Sequence, residues 1–312
     1  MTGPERLYGH ETLRMMARDV PIRTVVLLNP NAGQGDWPAD RLGAALQDAG
    51  LSPRIIDIKR SDPQRALVAP ADLYVIAGGD GTVAKIAPLL PRGARFAVLP
   101  LGTANNVARA HGIRSEPGMV ISHLPEADEC AFPLLRVEAK GQDQVLTEAL
   151  GLGALSASME MAEAGKTGSD KIAEGRRSFA QALRQAMPKA HLIEVDGNAR
   201  ESELLMLEAL AHGRAGPGLQ LLPEPVRPGQ VGLFTVTPEL REPLLRWLEE
   251  GADGPAPGHV EQASEVRIAC GGTVPLRLDD EMQHMDQAPR RLVLRGMDPN
   301  LHLLVPGQGS RT

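Results

Sequence analysis

The chain has 312 residues, 42% hydrophobic and 23% charged, enough for one large domain or two ordinary ones with a buried core and a soluble surface. Its net charge of −6 argues against a nucleic-acid binder and against permanent electrostatic attachment to an anionic membrane, because both select basic surfaces. The two cysteines, Cys130 and Cys270, make no metal-ligand spacing and read as reduced thiols.

In the N-terminal stretch Glu5, Arg6, Glu11 and Arg14 interrupt any apolar run, so no secretory signal is expected there. No stretch approaches the roughly 20 apolar residues of a membrane helix. A cytoplasmic protein is expected, with peripheral membrane contact as the second option. Thr24 to Leu28 is an apolar strand candidate followed by the turn residues NPNAGQG. Asp40 to Ala49 has helical spacing, and Pro53 to Ile58 is a second strand candidate. Leu73 to Ala77 is a third, followed by GGDGT and a helical stretch from Val83 to Leu90. Arg95 to Leu99 is a fourth, followed by PLGTANN and helical spacing toward His111. Strands this apolar are buried on both faces, as in a parallel sheet covered by helices, so residues 22–120 read as an α/β domain.

After roughly Pro117 the candidate strands become shorter and more alternating: Leu134 to Ala139, Val145 to Ala149, His191 to Val195, Leu204 to Leu210, Gly232 to Val236, Val266 to Ala269 and Pro275 to Leu278. Residues 121–312 therefore read as a mainly antiparallel β-sandwich, with one helical insert at Lys171 to Met187 and a last apolar run free to return to the first domain. In the insert, Phe179, Leu183 and Met187 share a helix face beside Arg176, Arg177, Arg184 and Lys189. Packing against its own domain is favoured over an interfacial helix.

Two loops carry most of the chemistry. Gly78-Gly79-Asp80-Gly81-Thr82 follows a strand and precedes a helix; its glycines let backbone approach phosphate, Asp80 can hold magnesium and Thr82 can donate to a phosphate oxygen. Pro100-Leu101-Gly102-Thr103-Ala104-Asn105-Asn106 sits in the same position after the next strand. With Asn29-Pro30-Asn31-Ala32-Gly33, three small polar loops lie at strand C-terminal ends, where open α/β sheets bind ligands. Trp37 is placed either to flank adenine or to pack over the start of the following helix. Gly165-Lys166-Thr167 has the end of a phosphate loop without its first glycine, since Glu160 stands there, and reads as a surface turn. His111, His212 and His284 read as surface or hydrogen-bonded residues.

NPNAG, GGDGT and PLGTANN, in this order, resemble the catalytic domain of the diacylglycerol kinase family, which includes bacterial diacylglycerol kinase-like lipid kinases and the sphingosine and ceramide kinases. The resemblance is strong over Thr24 to His111 and weaker beyond. It implies an α/β nucleotide-binding domain of NAD kinase and phosphofructokinase type, a β-sandwich lipid-binding domain, and an active site between them. It implies ATP and Mg2+ as cofactors, with Asn29, Asn31, Gly33, Gly78, Gly79, Gly81, Thr82, Gly102, Thr103 and Asn105 around the nucleotide and Asp80 at the metal. It also implies a lipid acceptor met transiently at a membrane surface, and leaves a homodimer open. Leu278-Asp279-Asp280-Glu281 resembles the family's Asp-Gly-Glu segment. On that resemblance Glu281 is the candidate catalytic base with Asp279 as its partner, beside Asp80, and Asp280 replaces the usual glycine. Gly151-Leu152-Gly153 after Glu148 resembles a segment lining the acceptor pocket, or is a glycine-rich turn. The chain departs from the family at Pro133 and Pro228, where an aspartate is usual, and at Asn106, where Asn-Asp is the usual pair. The alternatives are an NAD kinase-like or other small-acceptor kinase, disfavoured by the absence of any Asn-Glu pair, and a catalytically weak nucleotide- or lipid-binding homologue.

Overall fold

The structure, a computed structural model, describes residues 21–114, 116–139, 141–162, 171–270, 274–283 and 291–307. Gly165-Lys166-Thr167 and His284 lie outside the described residues.

The first half alternates strands and helices: β1 (Ile22–Leu28), α1 (Ala39–Asp48), β2 (Leu51–Asp57), the single turn α2 (Pro63–Ala66), β3 (Leu73–Gly78), α3 (Asp80–Ile86), β4 (Arg95–Pro100), α4 (Asn106–Ala110), α5 (Pro117–His123) and β5 (Asp128–Ala131). Val75, Ile76, Ala77, Phe96 and Leu99 are completely buried, as expected of central strands covered on both faces. Helix α3 ends where Pro88 follows, since proline cannot supply the next helical N–H.

The second half supplies β6 (Leu135–Ala139), β7 (Gln142–Leu146), β8 (Ala149–Gly153), α6 (Ala154–Ala162), α7 (Lys171–Gln185), β9 (Lys189–Val195), β10 (Asn198–Leu204), β11 (Met206–Leu210), the short pair β12 (Arg214–Ala215) and β13 (Leu219–Gln220), β14 (Val231–Val236), α8 (Arg241–Glu249), β15 (His259–Ala263), β16 (Glu265–Cys270), β17 (Leu276–Leu278), β18 (Glu281–Gln283), β19 (Arg291–Gly296) and β20 (His302–Val305). Two six-stranded sheets form, ordered β10-β9-β16-β19-β6-β7 and β15-β14-β11-β8-β17-β18. Leu135, Val137, Ile193 and Leu294 of one meet Leu150, Leu207, Leu233 and Leu276 of the other in a shared core. The far face of the second sheet is covered by helices through Leu155, Phe179, Leu183, Leu210, Phe234 and Leu244. That explains why β14 is buried at every position while β19 alternates. It also answers the question of the insert: Phe179 and Leu183 are fully buried, so α7 packs on its own domain, and only Met187 beyond its end stays 73% exposed.

The first sheet has the order β2-β1-β3-β4-β20-β5. Its last two members fall beyond the expected boundary: residue 120 lies inside α5, and β5, Phe132 and Leu134 still belong to the first core. β20 pairs parallel with β4 and antiparallel with β5, so the chain comes back to its first sheet after building the second domain. The parallel order reverses between β1 and β3, so the segments after β1, β3 and β4 leave the same edge side by side. That reversal is where open parallel sheets form a crevice.

Candidate functional site

Backbone meets backbone where the three loops converge. A Cβ on Gly79 would lie 2.9 Å from the Gly102 Cα, and one on Gly102 would lie 2.5 Å from the Gly79 Cα. Gly33, at φ +59, sits against the Leu101 carbonyl, 3.1 Å from where its Cβ would be. The Asn29 amide donates to Thr82 Oγ1 at 3.1 Å and tethers the first loop to the second.

Several residues expected to touch nucleotide spend their side chains on the loops themselves. Asn105, at φ 48, accepts from the Gly102 N–H at 2.9 Å and donates to the Gly102 carbonyl at 2.7 Å, so it shapes its own turn. Gly78 is buried and makes room for the Thr82 side chain, 2.4 Å from where a Cβ would be, and Thr82 is buried beneath it. Asn31 and Thr103 are exposed and free to meet a ligand. Beside the loops lies a pocket of about 280 Å³ whose lining includes Gly33, Trp37, Thr103, Asn105, Arg109 and Arg114. Trp37 is a wall of that pocket, with the Arg41 guanidinium 4.2 Å over its ring and Gly118 leaving space at its edge. Arg109 and Arg114 are cations that the motif reading passed over.

Asp80 opens α3, and its Oδ1 accepts from the Val107 N–H at 3.0 Å, joining the second loop to the helix after the third. Burial raises its pKa, opposed by the N–H groups of Val107 and Asn106. The second domain faces this loop through its acidic turn. The Asp280 Oδ2 lies 2.7 Å from where a Cβ on Gly81 would be, so Gly81 is small because a carboxylate from the other domain occupies the space. Burial and then the Asp80 carboxylate raise the Asp280 pKa, although its residue as a whole remains open to solvent.

The acids of this turn are placed differently from one another. Glu281 is exposed at the start of β18, and the inward place belongs to Asp280. Asp279 engages the backbone of the second domain. Its carboxylate accepts from the N–H groups of Thr147, Glu148 and Ala149 at 3.0, 2.8 and 3.0 Å and anchors the start of β8. The left-handed residue is Asp279, at φ 48, rather than Asp280.

Behind the turn lies an ion pair that sequence alone does not reveal. Arg277 and Glu208 are both fully buried and meet at 2.7 Å. They flank Gly151 on the strand between them: Gly151 pairs with Glu208 on one side and Arg277 on the other. A Cβ at Gly151 would come 2.5 Å from Glu208 Oε1, so the glycine opens a passage for the pair across β8. Arg277 also donates to the Asp279 carbonyl and so holds the turn from behind. Burial lifts the Glu208 pKa to about 7 against the pull of Arg277.

The two domains also meet through Asn106, which is 2% exposed. Its amide donates to Glu148 Oε1 at 3.2 Å and to the Gly216 carbonyl at 2.9 Å. Farther along, His111 Nε2 lies 3.0 Å from His212 Nδ1, with Cys130 Sγ 3.5 Å from His111 Nδ1 and Phe132 stacked beside the ring. Burial lowers the pKa of His111 to about 4 and that of His212 well below the usual histidine range. Neither histidine is a surface residue of the ordinary kind: the pair is a neutral interdomain hydrogen bond.

The fit of a divalent cation can be judged from the donor chemistry. Among the described residues no group of three His, Cys, Asp or Glu side chains is placed to hold a metal ion by itself. Asp80 nevertheless places a carboxylate at the phosphate-type loop, and magnesium commonly takes one or two carboxylates plus substrate phosphates. The residues fit a cation that arrives with a polyphosphate.

Residues 23–137 match the diacylglycerol kinase catalytic domain. A Pseudomonas aeruginosa protein named probable lipid kinase YegS-like is 43% identical over 82 residues, 25% of this chain and 26% of the relative. A Stenotrophomonas maltophilia protein of the same name is 39% identical over 77 residues, 22% of this chain and 25% of the relative. These alignments thus span about a quarter of the relatives' length. A crystal structure of a diacylglycerol kinase from Bacillus anthracis superposes with a TM-score of 0.67 at 16% identity, covering 91% of this chain and 97% of that one. An Archaeoglobus fulgidus NAD kinase in complex with ATP superposes with a TM-score of 0.52 at 12% identity, covering 92% and 95%. At such identities the superpositions speak for the fold: an α/β domain and an antiparallel-sheet domain, as the resemblance implies. Over residues 23–137, the segment that carries the three loops, the chain is similar to the diacylglycerol kinase catalytic domain.

Proposed function

We propose that the chain is an ATP-dependent lipid kinase that transfers the γ-phosphoryl group to a hydroxyl of a diacylglycerol-like lipid. The observation that carries this reading is the contact of Gly81 in the phosphate-type loop with Asp280 of the second domain. A triphosphate bound at that loop would end at the seam where an acceptor held by the second domain would also end. Phosphoryl transfer asks a protein chiefly for positioning and electrostatic stabilisation. The close backbone contacts of Gly33, Gly79 and Gly102 let the three loops converge, and Arg109 and Arg114 supply positive charge in the pocket beside them. Asp80 would hold magnesium together with phosphate oxygens, and the ion would offset phosphate charge as the bond to the leaving group lengthens.

An apolar pocket of about 210 Å³ in the second domain supports a lipid acceptor; Leu152, Ala157, Met187, Leu205, Met206 and Val274 are among its lining. It opens at the far end of β8, whose near end follows Glu148. Five strand residues at about 3.3 Å each separate the two by roughly 16 Å, a span suited to a reacting headgroup at one end and an acyl chain at the other. Among the described residues no helix is long and apolar enough to cross a membrane. The reading therefore has the enzyme meeting its lipid at the membrane surface, by weak and transient contact given a net charge of −6.

The test is ATP turnover in mixed micelles offering diacylglycerol, monoacylglycerol, sphingosine and a prenol, with NAD as a soluble control acceptor. Turnover with a glycerolipid, abolished in Asp80→Asn together with magnesium–nucleotide affinity, is the expected result. Turnover on NAD alone would make the chain a small-acceptor kinase, and ATP binding without any transfer would make it a binding protein.

A further inference from the structure

Glu148 has no place in the motifs, yet it stands where the reaction would occur. Three stretches distant in sequence bring carboxylates together at the seam: Asp80 from the phosphate-type loop, Asp280 from the acidic turn, and Glu148 from the approach to β8. Glu148 is 3% exposed, and its backbone is fixed by Asp279. Its Oε1 takes the Asn106 amide, while among the described residues no donor reaches its Oε2. Asn106 adds a second observation, because its Oδ1 is sealed from solvent with no donor at all. The sealed amide oxygen of Asn106 and the second carboxylate oxygen of Glu148 each lack a hydrogen-bond donor among the described residues. A hydroxyl is such a donor.

We propose that Glu148 is the catalytic base: its Oε2 accepts the proton of the acceptor lipid's hydroxyl. As the hydroxyl oxygen forms its bond to the γ-phosphorus and the bond from that phosphorus to the β-phosphate oxygen breaks, the proton passes to the carboxylate. ADP and the phosphorylated lipid leave, and the proton is then released to water. The role follows from position, since Asn106 lies at the start of α4 beside the N–H that holds Asp80 and thus ties the carboxylate to the phosphate-type loop. Burial and the facing Asp80 and Asp280 charges raise the Glu148 pKa well above the usual carboxylate range, which suits a proton acceptor near neutral pH.

The inference rests on the kinase reading, and the experiment separates the two. Glu148→Gln keeps shape and the bond from Asn106 but removes basicity; Glu148→Asp keeps basicity but shortens the reach. A base predicts turnover in the order wild type, Glu148→Asp, Glu148→Gln, with Glu148→Gln down about 10²- to 10⁴-fold and ATP affinity and thermal midpoint near wild type. A purely structural carboxylate predicts the reverse order of the two variants, and that result would overturn the proposal, as would normal turnover in Glu148→Gln. If the wild type transfers phosphate to no acceptor, the kinase reading itself fails and the role of Glu148 with it.

Discussion

Gly79 illustrates how little space the site allows a single residue. A side chain there meets not a movable neighbour but the backbone of Gly102, 2.9 Å from its Cβ position. Gly79→Val should therefore push the second and third loops apart and abolish ATP binding by calorimetry, while the core of the first sheet, several residues away, keeps its cooperative unfolding. Unchanged affinity in a folded variant would show that the loop contact is not the nucleotide cradle. At this scale the sequence is legible for the loops and illegible for the acids. Small residues after apolar strands announce a phosphate-type turn because backbone geometry demands them locally. Which of Asp279, Asp280 and Glu281 faces inward depends on the left-handed conformation at Asp279 and on three N–H groups about 130 positions away, neither of which shows in the string LDDE.

At the scale of elements, β8 is held between two buried charges. Replacing Arg277 with Met would strand the Glu208 carboxylate in a dry interior, and breaking one side of such a pair costs about 3–5 kcal/mol. Urea unfolding of Arg277→Met should register that loss, and Arg277→Met with Glu208→Leu should recover most of it; equal stability of the single and double variants would mean that water reaches the pair. The apolar runs of β1, β3 and β4 read correctly from sequence because burial on both faces leaves nothing but hydrophobic residues. β10 does not: NARESEL is an exposed edge strand with almost no apolar signal, fixed by pairing with β9. Nor does α8, where Pro243 looks like a breaker but stands in the first turn, whose N–H groups need no helical partner. Arg277 looks like an ordinary outward residue of an alternating strand, and its burial is set by Gly151 and Glu208 elsewhere in the sheet.

For the whole molecule, the His111–His212 bond makes the joint between domains sensitive to acid. Both rings are held neutral in the fold, with pKa values below the unfolded value of about 6.5. Their contribution to stability is therefore fully present above pH 6.5 and is lost as pH falls toward 4, because the unfolded chain takes up protons first. Thermal midpoints recorded between pH 7 and 5 should drop in the wild type and drop less steeply in His111→Gln with His212→Gln. An identical slope in both would place the acid sensitivity elsewhere.

The strand β20 has a consequence for how the molecule is made. It fills the place between β4 and β5, and the backbone bonds Gly93 to Asn300, Phe132 to Leu301 and His302 to Ala94 hold its approach. A ribosome finishes β5 long before it reaches β20: roughly 170 residues intervene, on the order of ten to thirty seconds of synthesis at about 5–20 residues per second. During that interval the first domain is a nascent sheet with an open row of hydrogen-bonding groups along β4, the kind of edge that recruits foreign strands. Growth of the second domain thus delays closure of the first, whose edge stays unfinished until β20 arrives.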